Sequence, residues 1–227
     1  MAKNQIGTRK ENTLHASLKE HYYQPGDQVE VECGRYVIDI ARGQQLIEIQ
    51  TTNFHLIKAK VANLLKEYQV RVVHPIARDR WILRLAKNGK QKSRRKSPKH
   101  GRPVDLFTEL VGLVEIAAHP HFSLEIALIE DEVIWIDDGR GSWRRKGWSV
   151  ADRKLIQVID TVRYERPSDY LSLLPSSFQD PFTNADLAKS LKIRRRLAEK
   201  MTYCLRKLDL IEAVGIRQRF KLYSIVN

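Results

Sequence analysis

The sequence predicts an α/β fold for the first part of the chain, then a mixed α+β segment and a small C-terminal domain. Three observations support this prediction. Helical and strand periods alternate over residues 8–86. Residues 87–102 then hold eight basic and no acidic side chains, which marks a boundary. After a mixed segment over 103–167, two amphipathic helices and two short strands complete residues 168–227.

The first segment has the element order α-β-β-β-α-β. Its first helix carries Leu14, Leu18 and Tyr22 on one stripe, and its second helix has six apolar residues facing a core. One right-handed crossover is expected between the third strand and the strand after the second helix. A further strand is expected at the end of the segment. The predicted helices are 7–23 and 53–68, and the predicted strands are 27–32, 35–40, 45–50, 70–76 and 80–85.

Residues 87–102 lack large apolar side chains, so we expect a mobile basic loop or linker that becomes ordered on a partner. The segment 103–167 is expected to contain two helices around a pair of strands. The helices are predicted over 104–117 and 149–162, and the strands over 123–129 and 132–137.

The C-terminal residues predict a winged helix-turn-helix domain. Thr183 and Asp186 occupy capping-box positions at the start of a short helix, and a longer helix follows from residue 194. Two strands then flank a basic turn that ends at Arg219. Helix, tight turn, helix and two-stranded wing is the order of that domain.

The net charge of +13 predicts a polyanionic partner, because clustered Lys and Arg supply the sequence-independent part of nucleic-acid binding. No window has the length and hydropathy of a transmembrane helix. The first residues lack the apolar run of a secretory signal. Cys33 and Cys204 lack neighbours at zinc-ligand spacing, so reduced thiols in a cytoplasmic protein are expected.

The strands around residues 42–45 suggest a specific hairpin register. If Ala41 faces Leu46, then Asp39 lies opposite Glu48 and the isoleucines gather on the other face. A slip by one residue would mix the two faces. This register predicts one apolar face and one face that presents Asp39, Glu48 and Gln50 together.

Two opposed carboxylates repel each other unless a cation lies between them. Mg²⁺ commonly takes one or two protein carboxylates together with phosphate oxygens of a substrate. Such a site can orient water and stabilise the charge that develops in phosphodiester hydrolysis. The alternative is a hairpin with a solvated polar face, which antiparallel sheets often have.

The residues around this hairpin resemble the PD-(D/E)XK nuclease superfamily over residues 8–78. The resemblance implies a restriction-endonuclease-like core in which Asp39 and Glu48 bind Mg²⁺ or Mn²⁺ for nucleic-acid hydrolysis. It assigns Gln50 to the place usually held by lysine and Glu11 to the acid on the first helix. Lys58 is a candidate substitute for the missing lysine. Ile38 stands where the motif has proline.

Two readings of function follow from these residues. The first is a Mg²⁺-dependent endonuclease that acts on nucleic acid, with double-stranded DNA as the first candidate. The second is a non-catalytic DNA-binding regulator or adaptor with a degenerate nuclease core. Whether the protein forms a homodimer stays open. The expected nucleic-acid contacts come from Arg94, Arg95, Lys96, Lys99, Arg144, Arg145, Lys146, Arg195, Arg196, Arg206, Arg217 and Arg219.

Overall fold

Strands dominate the structure, a computed structural model that describes residues 13–141, 143, 147–175 and 179–226. Short 3-10 helices precede α2, α3 and α4. The bounds of the α-helices are α1 Thr13–Tyr22, α2 Lys58–Leu64, α3 Phe107–Leu110, α4 Asn184–Leu191 and α5 Arg195–Lys207. The bounds of the strands are β1 Gln28–Cys33, β2 Tyr36–Arg42, β3 Gln45–Ile49, β4 Gln69–Leu85, β5 Gln91–Lys96, β6 Phe122–Asp137, β7 Trp148–Tyr164, β8 Ile211–Arg217 and β9 Phe220–Ile225.

The fold is mixed α/β and is built around one large sheet. Its strands lie in the order β1-β2-β3-β4-β6-β7, and β5 also pairs with β4. A second sheet contains β8 and β9. The order α1-β1-β2-β3-α2-β4 is the one that the sequence predicts for residues 8–86. In the described part of the chain, no helix combines the length and hydropathy that a membrane span requires.

The register of β2 and β3 is the predicted one. Ile40 pairs with Ile47 and Ala41 with Leu46 in an antiparallel ladder. Strand β3 then pairs in parallel with β4, which begins after the crossover through α2. Strand β3 lies between β2 and β4, and its residues from Leu46 to Ile49 are all buried. The alternative of a hairpin with a solvated polar face does not hold for Glu48, because this side chain is buried against Lys60 of α2.

The chain divides into two units by its internal contacts. The larger unit holds Gly26–Ile76, Arg102–Ala127 and Thr161–Asn227. The smaller unit holds Ala77–Gly101 and Leu128–Asp160, together with the residues up to Pro25. The predicted boundaries at residues 86, 102 and 167 do not separate these units, since β4, β6 and β7 each contribute residues to both.

The basic segment 87–102 is not a linker, because it contains strand β5. Leu83 pairs with Arg94 and Trp81 with Lys96, so β5 continues β4 as an antiparallel hairpin. Gly89, with φ of 81°, lies in the turn. A segment without large apolar residues can form this strand because its backbone hydrogen bonds and its contacts with acidic neighbours replace a hydrophobic face.

The helix predicted over 149–162 is also wrong, because β7 occupies Trp148–Tyr164. β-Branched side chains are frequent between Val158 and Val162, and they favour an extended backbone. The adjacent strand β6 supplies the partner that such a strand needs. The two strands predicted over 123–129 and 132–137 form this single strand β6, and those at 70–76 and 80–85 form β4.

The helix predicted over 104–117 is much shorter in the structure. A 3-10 turn over Pro103–Leu106 leads into the four residues of α3. Gly112 follows, and a Cβ atom there would lie 2.6 Å from the backbone nitrogen of His55. The close backbone approach at this glycine explains why a residue with a side chain is not found there.

The C-terminal elements match the prediction, with two helices followed by a two-stranded sheet. The capping box at α4 is confirmed, because the Thr183 hydroxyl accepts from the Asp186 N–H at 3.2 Å. These elements do not form a separate unit. Within the larger unit, Lys200 of α5 donates to the Thr108 carbonyl at 2.9 Å, and Arg102 donates to the Leu191 carbonyl at 2.8 Å.

Candidate functional site

The two predicted carboxylates lie where the β2–β3 ladder ends. The backbone pairing stops at Ile40 and Ile47, one residue before Asp39 and Glu48 along the same register. Beyond that point the Asp39 carboxylate accepts the Ile49 N–H at 2.7 Å. The side chain thus continues the ladder in place of a backbone carbonyl, which fixes this carboxylate beside β3.

Glu48 is buried and its charge is balanced by Lys60. The Lys60 Nζ lies 2.6 Å from Oε2 of Glu48, and the two side chains are 16% and 9% exposed. Lys60 also donates to the carbonyl oxygen of Val37 on β2. An ammonium group from α2 therefore connects the carboxylate on β3 to the neighbouring strand. Burial of an ionised carboxylate without such a partner would cost several kcal/mol.

Lys60 was missed by the sequence reasoning, which selected Lys58. The missed signal is positional, because Lys60 lies on the apolar stripe of its own helix. Ile57, Val61 and Leu64 are buried, and residue 60 completes the spacing i, i+3, i+4 and i+7. A lysine on a buried stripe needs a buried acceptor, and the sheet offers Glu48.

Lys58 is directed elsewhere in the larger unit. Its ammonium group forms an ion pair with Glu115, whose carboxylate is more than half exposed. The hydrogen bond and charge of Lys58 lower the pKa of Glu115 below its usual value. Lys58 therefore does not reach the two carboxylates, and Lys60 is the lysine of this helix that lies beside Glu48. Glu11, the predicted acid on the first helix, lies outside the described residues.

Gln50 shapes the loop between β3 and the following helix. Its side-chain amide donates to the carbonyl oxygens of Thr52 and Asn53. The backbone carbonyl of Gln50 lies 2.8 Å from Nδ1 of His74. Because a carbonyl oxygen only accepts, Nδ1 carries the proton in this contact. Asn53 has φ of 56°, and its N–H donates to the Glu109 carboxylate at 2.8 Å. Gln50 therefore stabilises the conformation of this loop through its side-chain hydrogen bonds.

The donor chemistry of Asp39 and Glu48 fits a hard divalent cation. In the described ranges there is no group of three or more His, Cys, Asp or Glu side chains that could hold a metal. Mg²⁺ does not require such a group, because it often binds through one or two carboxylates, water and substrate phosphates. Asp39 and Glu48, on adjacent strands, provide that number of carboxylates.

The predicted basic residues of β5 differ in their surroundings. Arg94 forms an ion pair with Glu132 at 2.6 Å and lies 4.0 Å from the ring centroid of Trp81. Lys96 pairs with Asp79 at 2.9 Å. Arg95 and Lys99 are exposed, and no acidic partner is found for either within the described residues. Arg95 belongs to β5, and Lys99 lies just after the end of that strand.

The predicted basic residues around α5 divide in the same way. Arg196 and Arg206 are exposed on the helix, whereas Arg195 pairs with Glu199 at 3.0 Å. Arg217, in the β8–β9 hairpin, pairs with the capping residue Asp186. The guanidinium of Arg219 lies 5.4 Å from the ring of Phe220.

Two adjacent residues of α5, Thr202 and Tyr203, differ in their exposure. The Thr202 side chain is buried, and its hydroxyl donates to the Asn184 side chain at 2.8 Å. Tyr203 is exposed. The predicted contacts at residues 144–146 lie outside the described residues.

Comparisons with known proteins place the chain in a family. The family described as Domain of unknown function (DUF8091) matches residues 12–165, and the chain belongs to it. A protein of Treponema pallidum (strain Nichols), described as uncharacterized, is 33% identical over 220 residues. That match covers 96% of this chain and 86% of the relative, so it includes the C-terminal helices. No solved structure matches the chain.

Proposed function

We propose that this member of the family binds nucleic acid and hydrolyses phosphodiester bonds at Asp39 and Glu48 with Mg²⁺ or Mn²⁺. The contact between Lys60 and Glu48 is the observation that carries the proposal. It brings two carboxylates and one ammonium group to the end of the β2–β3 ladder, which is the combination that the PD-(D/E)XK resemblance implies. The α-β-β-β-α-β order of the elements around them supports the same proposal.

Each of the three side chains has a distinct role in the proposed site. Asp39 and Glu48 hold the metal, which when bound supplies a polarised water and charge stabilisation for hydrolysis. Lys60 provides the positive charge that the Gln50 position lacks. Its Nζ is anchored by the Val37 carbonyl, so the ammonium group remains near Glu48 when the carboxylate turns to a cation. Gln50 keeps the neighbouring loop in place.

The nucleic-acid partner is supported by the positive charge of residues 87–102 and, separately, of α5. Residues 87–102 carry eight basic and no acidic side chains, and Arg95 and Lys99 are exposed there. On α5 the exposed Arg196 and Arg206 add to this charge. Exposed guanidinium and ammonium groups bind phosphates and release condensed counterions, which provides affinity without sequence preference.

A second candidate is a nucleic-acid-binding protein without catalytic activity. The specific observation in its favour is that protein groups already satisfy the site. Lys60 neutralises Glu48, and the amide of Gln50 donates to loop carbonyls. In this case the ion pair replaces the metal and serves stability, while the basic residues bind the partner.

Metal-dependent cleavage and metal binding, measured on matched variants, separate the two candidates. The substrates are labelled single- and double-stranded DNA and RNA. Asp39→Asn and Lys60→Met should each abolish the cleavage of these substrates that depends on Mg²⁺ or Mn²⁺. Lys58→Met is the control, because Lys58 lies on the same helix and pairs with Glu115 instead of Glu48. It should retain activity close to that of the unaltered protein.

Binding of Mn²⁺, followed by calorimetry on the same proteins, gives a readout apart from activity. Asp39→Asn should weaken it, and Lys58→Met should leave it unchanged. If the unaltered protein binds nucleic acid but neither binds Mn²⁺ nor cleaves any of the four substrates, the catalytic proposal is wrong and the second candidate holds. If Lys58→Met is as inactive as Lys60→Met, the assignment of the lysine is wrong.

A further inference from the structure

The smaller unit contains all four tryptophans of the chain, and cations accompany most of them. Trp143 is 83% exposed, and the other three are partly exposed. The apolar faces of an indole ring on a polar surface can be covered by cationic side chains. The rings of Trp81, Trp135 and Trp148 each lie within cation–π distance of an arginine or lysine of this unit.

Arg84 is the centre of the largest of these groups. Its guanidinium carbon lies 5.5 Å from the ring centroid of Trp135 and 5.3 Å from that of Trp148. The Lys92 ammonium lies 5.3 Å from the Trp148 ring as well. We call these four residues the Trp–Arg cluster. Cation–π contacts with two indole rings restrict the orientation of the Arg84 guanidinium.

Arg84 also has hydrogen-bonding capacity left over. Its Nε is buried and has no hydrogen-bond partner among the described residues. No carboxylate is seen paired with it in that part of the chain, whereas Lys92 pairs with Asp137 at 2.7 Å. A partly buried guanidinium with an unmet donor and no counter-charge favours an anionic ligand, since leaving such a donor unsatisfied has a cost.

The surrounding charge has the sign that this ligand requires. Residues 77–101 carry ten basic side chains and one acidic side chain, Asp79. Carboxylates of β6 neutralise some of them, including Arg94 through Glu132. Arg95 is exposed on the same hairpin and has no acidic partner in the described ranges. The ligand is therefore expected to be an extended polyanion.

We propose that the Trp–Arg cluster binds single-stranded nucleic acid, with bases on the indole rings and phosphates on Arg84 and Lys92. Single strands present both groups at once, because their bases are free to stack on aromatic side chains. A duplex keeps its bases stacked inside, so it would use the cations but not the tryptophans. The proposal deepens the proposed function, since it rests on a nucleic-acid partner but not on hydrolysis.

The four tryptophans allow a direct test, because tryptophan fluorescence, excited where tyrosine does not absorb, reports on the smaller unit alone. Oligo(dT) should quench the fluorescence of the full-length protein in the presence of a metal chelator, which prevents cleavage. Trp148→Leu should weaken oligo(dT) binding at least about fivefold, the lower end of the loss on removing a stacked base contact. Trp148→Phe keeps an aromatic ring and should lose much less. Arg84→Gln should also weaken binding and reduce its dependence on salt.

Duplex DNA of the same length, measured by anisotropy, is the matched comparison. Its affinity should change less than twofold in Trp148→Leu. Equal losses for oligo(dT) and duplex would overturn the assignment to single strands, and no loss for either would overturn the cluster as a binding site. Nuclease activity is measured separately on the unaltered protein. If that protein cleaves nucleic acid but the Trp148 and Arg84 variants keep its oligo(dT) affinity, only the inference about the Trp–Arg cluster is refuted. Quenching without cleavage would refute only hydrolysis.

Discussion

Replacement of Lys60 by methionine tests the central contact of the candidate site. The substitution keeps most of the side-chain volume and removes the ammonium group 2.6 Å from Glu48. It also removes the donor to the Val37 carbonyl. Glu48 would then be a carboxylate buried on the central strand β3 without this cation. Methionine itself suits the position, because the neighbouring residues of α2 form an apolar stripe.

The expected loss of stability follows from the burial of the pair. Removing one partner of a buried ion pair costs about 3–5 kcal/mol, chiefly because the other charge remains in a region of low dielectric. The lysine side chain is 16% exposed, so some solvent reaches the site and the lower end applies. A loss of about 3 kcal/mol in a chain of this size corresponds to a fall in Tm of about 6–12 °C.

Urea denaturation followed by circular dichroism measures this change as a shift in midpoint. Lys60→Met combined with Glu48→Gln should be more stable than Lys60→Met alone, because no buried charge is left uncompensated. Lys58→Met is the control and should stay within about 1 kcal/mol of the unaltered protein, as expected for an exposed pair. A loss below 1 kcal/mol in Lys60→Met, or no recovery in the double variant, would refute the role of the pair.

Two other predictions concern buried polar groups. Burial raises the pKa of Tyr164 from 10.0 to about 12, so its contribution to stability is complete below pH 10 and is lost as pH rises towards 12. Tyr164→Phe, measured by urea denaturation at pH 7 and pH 11, should therefore lose less stability between these values than the unaltered protein; an identical loss would contradict it. Asp131 is fully buried between Arg80 and Arg153, so Asp131→Asn should cost about 3 kcal/mol, whereas Asp137→Asn, at an exposed pair, should cost under about 1 kcal/mol. Equal urea midpoints for the two variants would show that burial does not increase the stability contributed by the Asp131 ion pairs.

Some features of this protein were determined by short-range sequence patterns. The alternation of isoleucines with polar residues fixes the register of β2 and β3, because a slip by one residue exchanges the two faces. Thr183 and Asp186 fix the start of α4, because a capping box needs only four consecutive residues. The β8–β9 hairpin follows from the two apolar runs that flank its basic turn.

Other features were decided by contacts between distant residues. A helical period appeared over 149–162, but the neighbouring strand β6 determines that these residues extend as β7. The basic residues 91–96 form a strand because β4 pairs with them and because Glu132, nearly forty residues away, balances Arg94. Local propensity is weak in both segments, so long-range pairing prevails.

The candidate site shows the same division. Sequence periodicity by itself determined that Asp39 and Glu48 belong to neighbouring positions of a hairpin. Only the tertiary structure decided that Glu48 is buried and that Lys60 neutralises it. Both facts depend on how β4 lies beside β3 and on the rotation of α2 over the sheet, neither of which is encoded within one element. The physical reason is that Glu48 and Lys60 belong to different elements, a strand and a helix. Their contact depends on how these elements pack, and the periodicity of either segment alone does not specify that packing.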